Sequence, residues 1–381
     1  MLILLMLTAG LWGCGQEDAT TSEDVPVLTV GHVGHDHQIA LYIAALKGRA
    51  FVENYGVGLV PQREGEVYDL VEDGRTLATL RLMKVGGGSK MPAALSRGDI
   101  DIGLGGVPAV AKLADSQASR GVKIICPLQT DGDMLVLAAD SPVETWSDFV
   151  AAAKTRDKPF VIGYKAPLAV ALLVFQRALD AENISWSIQS TDETQVLLQN
   201  MRGGKNAIPL LTAGELDGFV MNQPVVAVAE HKGLGKTVAD LRDLPPAGKW
   251  ANHPCCCICA TGEAIENHPA VLKALLKTIH LGNAYIIEHP QEAAELASQW
   301  IRTPPEVERA SVPTIAYGTE PDEAWRTGLD TWLAMMTGEE LFTGRFAGKS
   351  PDEIFNELCD LQFCTQAAEE LRAKGHLPAK Q

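Results

Sequence analysis

Short apolar runs bounded by turn residues alternate with longer stretches of helical periodicity along most of this chain. Val27 to Val30 reads as a strand ending at Gly31. Gln38 to Gly48 follows as a helix, with Ile39, Tyr42, Ile43 and Leu46 on one face. Val57 to Val60 reads as a second strand. Two further runs, 67–71 and 79–83, flank Asp73-Gly74, a pair suited to a tight hairpin turn. Gly98 to Gly103 reads as a buried strand between a helix over Met91 to Ser96 and another over Val107 to Ala114. The same rhythm gives strands at Val122 to Ile125, Met134 to Ala138, Phe160 to Gly163 and Asp217 to Met221. Helices are expected at Trp146 to Ala153 and Leu168 to Leu179, and one starts at Asn222-Gln-Pro224. Beyond about residue 270 the chain reads as mainly helical, with breaks at Pro290, Pro304, Pro305 and Pro321. Alternating strands and helices predict an α/β fold with mostly parallel sheets.

The beginning of the chain follows a different pattern. Met1 to Trp12 is apolar, too short to span a bilayer, and reads as the core of a secretory signal. Small residues, Cys14 and a polar, acidic stretch come next, the layout of a lipoprotein signal. The expectation is a signal peptide over 1–13, lipidation at Cys14, a tether over 14–26, and a periplasmic or cell-surface protein held to a bacterial membrane only by its lipid. The net charge of -16 argues against nucleic acid as a partner through a broad basic face. It leaves room for an anionic ligand in a local cleft.

Three phrases carry a resemblance. They are Ala45-Leu-Lys-Gly48, Ala94-Leu-Ser-Arg-Gly-Asp-Ile-Asp-Ile-Gly103 and Leu216-Asp-Gly-Phe-Val-Met-Asn-Gln-Pro224. In this order they resemble solute-binding proteins of the nitrate/sulfonate/taurine type that serve ABC importers. That resemblance implies a two-lobed periplasmic-binding-protein type II fold with two crossing hinge strands, a small-molecule ligand between the lobes, and a permease and ATPase complex as partner. It also implies a monomer without catalytic residues. Lobe 1 is expected over 27–128, lobe 2 with the hinge strands over 129–260, and a C-terminal helical part packing back on lobe 1 over 261–381. Ligands of open α/β sheets sit beyond the carboxyl ends of the strands, near helix N-termini. The candidate binding residues are therefore His32, His35, His37, Gly105, Gly106, Tyr164, Lys165, Asn222 and Gln223. Lys165 reads equally as a solvated turn lysine, and Asn222 equally as a helix cap. Asp36, between two histidines, is a candidate to orient an imidazole.

The run Pro254-Cys-Cys-Cys-Ile-Cys-Ala260 stands apart. It is similar to the CCCxC motif of the thiamine-pyrimidine synthase family, in which the motif is associated with iron. The likeness continues through Asn267 to Leu276 and Ala284 to Pro290. That family's lysine and sacrificed histidine have no counterpart in Leu104 to Ala111, which contains neither residue. Without an amine there is no Schiff base. By strand alternation Cys255, Cys257 and Cys259 share a face, with Cys256 on the other. With His37 those three form a candidate site for iron, copper or zinc, since thiolate and imidazole suit such ions. Small buried core residues are the competing reading. The pairing of Cys126, Cys359 and Cys364 is left open by the sequence. The leading expectation is thus a solute-binding lipoprotein for a nitrate-, sulfonate-, pyrimidine-like or metal-linked ligand. The alternative is an iron-dependent or redox enzyme, or a metal sensor, on the same scaffold.

Overall fold

A computed structural model describes residues 25–86, 90–189 and 194–379. The signal, Cys14 and most of the tether lie outside them. No helix among the described residues is long and apolar enough to cross a membrane.

The strands are β1 (Val27–His32), β2 (Val57–Arg63), β3 (Val67–Glu72), β4 (Arg75–Lys84), β5 (Ile102–Gly106), β6 (Lys123–Asp131) and β7 (Asp133–Ala138). They continue as β8 (Phe160–Tyr164), β9 (Trp186–Ser187), β10 (Val196–Asn200), β11 (Gly218–Asn222), β12 (Gly235–Asp240), β13 (Pro254–Ala260) and β14 (Ile315–Tyr317). They form two sheets. The first has eight strands in the order β14-β6-β13-β5-β1-β4-β3-β2, and the second has six in the order β12-β7-β11-β8-β10-β9. Helices cover both, giving a two-sheet α/β architecture.

The first sheet is more antiparallel than the alternating pattern predicts. Only β1 with β4 and β1 with β5 run parallel; β13 lies antiparallel between β5 and β6. The reason is topological. The Asp73-Gly74 hairpin places β3 and β4 between β2 and β1, and the chain returns from the second sheet along β13. The chain leaves the first sheet at Gly132, between β6 and β7, and re-enters it at Pro254. By sheet membership β13 and the end of β6, counted with the second lobe from sequence, pair within the first.

β5 begins later than its apolar run. Gly98 ends the preceding helix in a left-handed conformation, φ +77°, and Thr29 N–H donates to the Asp101 carboxylate at 2.7 Å. Pairing with β1 starts only at Ile102. Gly105 and Gly106 therefore end a strand instead of standing in a loop. β9, β10, β12 and β14 have no counterpart in the pattern. They are short or half-polar, and their pairing depends on partners distant in the chain.

The C-terminal third covers the first sheet. The helix Pro269–Glu288 packs on the helix Ile39–Leu46 so closely that a Cβ on Gly282 would lie 2.2 Å from the Ala40 carbonyl oxygen. Asp115 fastens the segment 343–346. Its buried carboxylate accepts N–H groups from Thr343, Gly344 and Phe346 at 2.9–3.0 Å and pairs with Lys112 at 3.2 Å. Burial pushes this carboxyl's pKa up, but the amides, first that of Phe346, outweigh it and hold the group below its ordinary value. Asp115→Asn would replace one of the two accepting oxygens with an amide donor facing backbone N–H donors. It should cost roughly 1–3 kcal/mol of stability in urea unfolding. A change within ~0.5 kcal/mol would show that the contact is not needed.

Candidate functional site

The end of β1 builds the first wall of a cleft between the sheets. Gln38 locks the loop that follows. Its Oε1 accepts from Val33 N–H at 2.7 Å, and its Nε2 donates to the Leu104 carbonyl at 2.7 Å. Tyr42 receives Gly34 N–H at 2.9 Å. This frame holds His35 and His37 with ring centres 5.3 Å apart. His37 Nε2 lies 3.2 Å from the Gly132 carbonyl oxygen, at the crossing between lobes. The Nδ1 atoms of both histidines are buried without a hydrogen-bond partner. Burial pushes the His35 pKa well down, and Lys165 and His37 add to the effect.

The floor comes from β5 and β13. Gly106 caps the helix Val107–Asp115 and, with Gly105, leaves room beside Cys255 and Cys256. All seven residues of β13 are buried. Its pairing with β6 shifts register between Pro254 and Cys256 and again between Cys256 and Cys257. These bulges defeat simple alternation. Cys255 and Cys256 both reach the cleft, with ligand atoms within 4.8 Å of each other and of His37. Cys257 and Cys259 turn away into the core, their sulfurs directed at the Gly105 and Gly103 carbonyls at 3.6 and 3.3 Å. The expected set Cys255, Cys257, Cys259 and His37 is therefore corrected to His37, Cys255 and Cys256. The Cys256 thiol is drawn down to about 6, first by a hydrogen bond from Cys255 and also by His37, while Cys255 is pushed up as the pair's proton holder.

The second sheet supplies the opposite wall. Lys165 Nζ donates to Asn222 Oδ1 at 3.0 Å, and the Asn222 amide donates to the Gln223 carbonyl at 2.6 Å. Asn222 is thus a wall residue and not a cap. The helix Val170–Ala181 begins at Ala169 with no side-chain cap, and its first turn borders the cavity. Asp133 enters at the crossing, 3.4 Å from His253 Nε2. Burial opposes a charge on His253, but Asp133 and Asp131 outweigh it and hold its pKa above the ordinary value. The space between the walls, including the open mouth, is about 630 Å³.

Of the predicted binding residues, His35, His37, Gly105, Gly106, Lys165 and Asn222 line this cavity. His32, Tyr164 and Gln223 do not. His32 packs against Tyr42 and Trp300. Tyr164 is buried in the core beside the site. Gln223 accepts the Ala227 N–H at 3.1 Å and donates to Thr314 at 3.3 Å, so it caps the helix and ties it to the C-terminal third. Residues that sequence reasoning passed over are Gln38, Asp133 and Cys256. The polar break Gln129 to Asp133 was the signal for Asp133; nothing local announced the bulge that exposes Cys256. Asp36 also departs from expectation. It accepts a hydrogen bond from Ser311 and shares a buried site with Glu308, away from both imidazoles.

Outside the cavity the mouth is basic. A wider groove of about 1130 Å³ is lined, among the described residues, by Lys84, Lys90, Lys165, Arg202 and Lys205 and by no carboxylate. None of these cations forms an ion pair among the described residues. In a chain of net charge -16 this is a local reversal of sign.

The sequence profile of the NMT1-like family matches residues 25–302. The chain belongs to the NMT1-like family. This NMT1-like protein is also 30% identical over 138 residues to the uncharacterized protein MJ1180 of Methanocaldococcus jannaschii, covering 36% of the chain and 93% of that relative. Its fold is similar to a zinc-bound ligand-binding component of an ABC-type import system from Staphylococcus aureus, with TM-score 0.67, 14% identity, and 90% and 99% of the two chains covered. It is likewise similar to the periplasmic nitrate-binding protein NrtA of Synechocystis, with TM-score 0.67, 14% identity, and coverage of 94% and 92%. A third similar structure is the aliphatic sulphonate-binding protein SsuA of Escherichia coli, with TM-score 0.60, 14% identity, and coverage of 88% and 92%. At these identities the likeness establishes the periplasmic-binding-protein fold.

The Asp36–Glu308 pair yields a pH dependence. Burial raises both carboxyls; Glu308 raises Asp36 further, while hydrogen bonds from Thr303 and Asp36 only partly offset the rise on Glu308. The folded protein therefore holds protons that the unfolded chain releases. The pair's favourable contribution is fully present below ordinary carboxylate pKa values and is lost as pH rises through the raised ones. Asp36→Asn should flatten the fall in urea-unfolding stability as pH rises above the ordinary carboxylate range. An unchanged pH profile would remove the pair from the account.

Proposed function

We propose that this NMT1-like protein is an extracytoplasmic solute-binding component of an ABC importer, held to a bacterial membrane through Cys14, that captures a small anion between its lobes. The observation that carries the reading is the cation-lined, carboxylate-free mouth over an enclosed cavity in a strongly acidic chain. Uncapped amides at the start of the helix Val170–Ala181 and the Lys165 ammonium supply donors at its inner end. Two of the structural neighbours are a nitrate-binding and a sulphonate-binding protein, whose ligands are anions of this class. Closure of one sheet's lobe on the other around Gly132 and the 241–253 segment is the proposed working motion, with no chemistry on the ligand. Released ligand would pass to the permease.

Binding of nitrate, ethanesulfonate and inorganic phosphate to the purified protein, followed by calorimetry and thermal shift, tests this. One of them should bind at one site, more weakly as salt rises. Lys165→Ala should lower that affinity by roughly 10–100-fold, the worth of a charge-assisted hydrogen bond. If all three are silent while a neutral solute co-purifies, the anion reading fails.

A second reading has its own observation, the grouping of His37, Cys255 and Cys256. If Nε2–H of His37 donates to the Gly132 carbonyl, Nδ1, buried without a hydrogen-bond partner among the described residues, keeps a lone pair for an ion. Such a donor set suits iron, copper or zinc, and would make the ligand metal-linked. Metal analysis after anaerobic purification should then find an ion lost in the Cys255→Ser/Cys256→Ser double variant and kept in Cys257→Ser. Loss in both, or in neither, counts against it.

A further inference from the structure

A second thiol–imidazole cluster lies on the far side of the first sheet, in the core under the C-terminal helices. Cys126 comes from β6, His280 from the helix Pro269–Glu288 and Cys364 from the helix Gln362–Ala373. Their ligand atoms all lie within 4.8 Å of one another, and all three residues are buried. The two sulfurs are 3.2 Å apart, and Cys364 Sγ is 3.8 Å from His280 Nε2. The Thr319 carbonyl oxygen faces both sulfurs, 3.2 Å from Cys126 and 2.9 Å from Cys364. The Thr319 hydroxyl lies 2.8 Å from His280 Nδ1, so one residue positions the ring by its side chain and the thiols by its backbone. His280 Nε2 faces Cys364, 3.1 Å from its carbonyl oxygen.

We propose that Cys126, His280 and Cys364 form a structural zinc site, with the Thr319 carbonyl as fourth donor. Tetrahedral zinc bound to sulfur and nitrogen at ~2.3 and ~2.0 Å separates its donor atoms by roughly 3.5–3.8 Å. The Cys364–His280 distance meets this, and the sulfur pair opens by about half an ångström to do so. Two thiolates neutralise a divalent ion, so the filled site carries no net charge in an apolar core. Binding releases the two thiol protons to solvent and ends the S–H contacts to the Thr319 carbonyl; the ring proton sits on Nδ1, donated to the Thr319 hydroxyl, so that Nε2 gives up the Cys364 carbonyl and offers its lone pair to the ion. A disulfide would use the sulfurs and leave the imidazole without a role. A cavity of about 450 Å³ beside the cluster gives a route in; His280, Thr319, Asn283 and Glu320 line it, and Asn283 Oδ1 is buried there without a partner. The ion would pin the last helices to the first sheet. The proposal is independent of both readings of the cleft, because none of these residues borders it.

The test uses the Cys255→Ser/Cys256→Ser double variant, in which the cleft thiols are removed. Purified under reducing conditions and given zinc, it should retain one equivalent through gel filtration. Cobalt in place of zinc should give thiolate charge-transfer absorption. Adding Cys364→Ser or His280→Gln to that background should abolish the retained zinc, and Thr319→Val should weaken it by roughly 10–100-fold by freeing the ring. His280→Gln leaves both sulfurs in place, so it keeps the test readable if Cys364→Ser does not fold. Zinc should raise the melting temperature of the double variant and not of its His280→Gln derivative. No retained zinc in a folded, thiol-reduced double variant overturns the proposal. So does an intact mass lower by two hydrogens under non-reducing conditions with zinc refused, which would mark a Cys126–Cys364 disulfide instead.

Discussion

One strand sets the terms for everything around it. β13 is hydrogen-bonded on both edges and buried along all seven residues. A strand in that position has no solvent-facing side, so its residues must be at most weakly polar, and beside the glycines of β5 they must also be small. Cysteine meets both demands. Where β13 faces the glycines of β5, the fit is close: Cys259 Sγ lies 3.3 Å from where a Cβ of Gly103 would stand. The crowded part of the strand is therefore a packing device. Its bulged entrance, freed from regular pairing, is where two thiols emerge beside His37.

The same strand couples the lobes. The chain enters the second sheet at Gly132 and returns through β13, and the residues flanking those two points form the inner end of the cleft. His37 contacts Gly132, and His253 contacts both Asp131 and Asp133. One imidazole thus faces two buried carboxylates at this junction, with Arg242 3.7 Å from Asp131 as a second cation. The C-terminal third adds a third set of ties, from Asp115 to 343–346 and from Gln223 to Thr314. The second of these links a second-lobe helix to the segment that closes the first sheet.

Electrostatics divides the molecule in the same way. Acidic residues dominate the surface as a whole, yet the cleft mouth gathers five cations and no carboxylate. They come from β4, the segments just after β4 and β8, and the turn following β10. No linear charge run marks them. The cavity behind is small and largely apolar, with donors at one end, an arrangement suited to a small ligand held by a few placed groups.

Much of this was legible in the chain itself. Apolar spacing fixed the α/β class, the Asp73-Gly74 hairpin and most helices, because those depend on period and local turn chemistry. The rule that ligands meet the carboxyl ends of strands located His35, His37, Lys165 and Asn222 on the cavity wall. What the chain could not disclose depends on partners far apart in sequence. Alternation assigned the cysteines to faces, but a bulge set by the pairing of β13 with β6 reassigned them. Asp36 looked like a partner for its neighbouring histidines, yet Ser311 and Glu308, brought up by a helix hundreds of residues later, claimed it. Cys126, His280 and Cys364 carry no shared motif, and only the packing of the last helices on the first sheet brings their sulfurs and ring together. Periodicity records which residues must be buried; the tertiary structure alone decides what they are buried against.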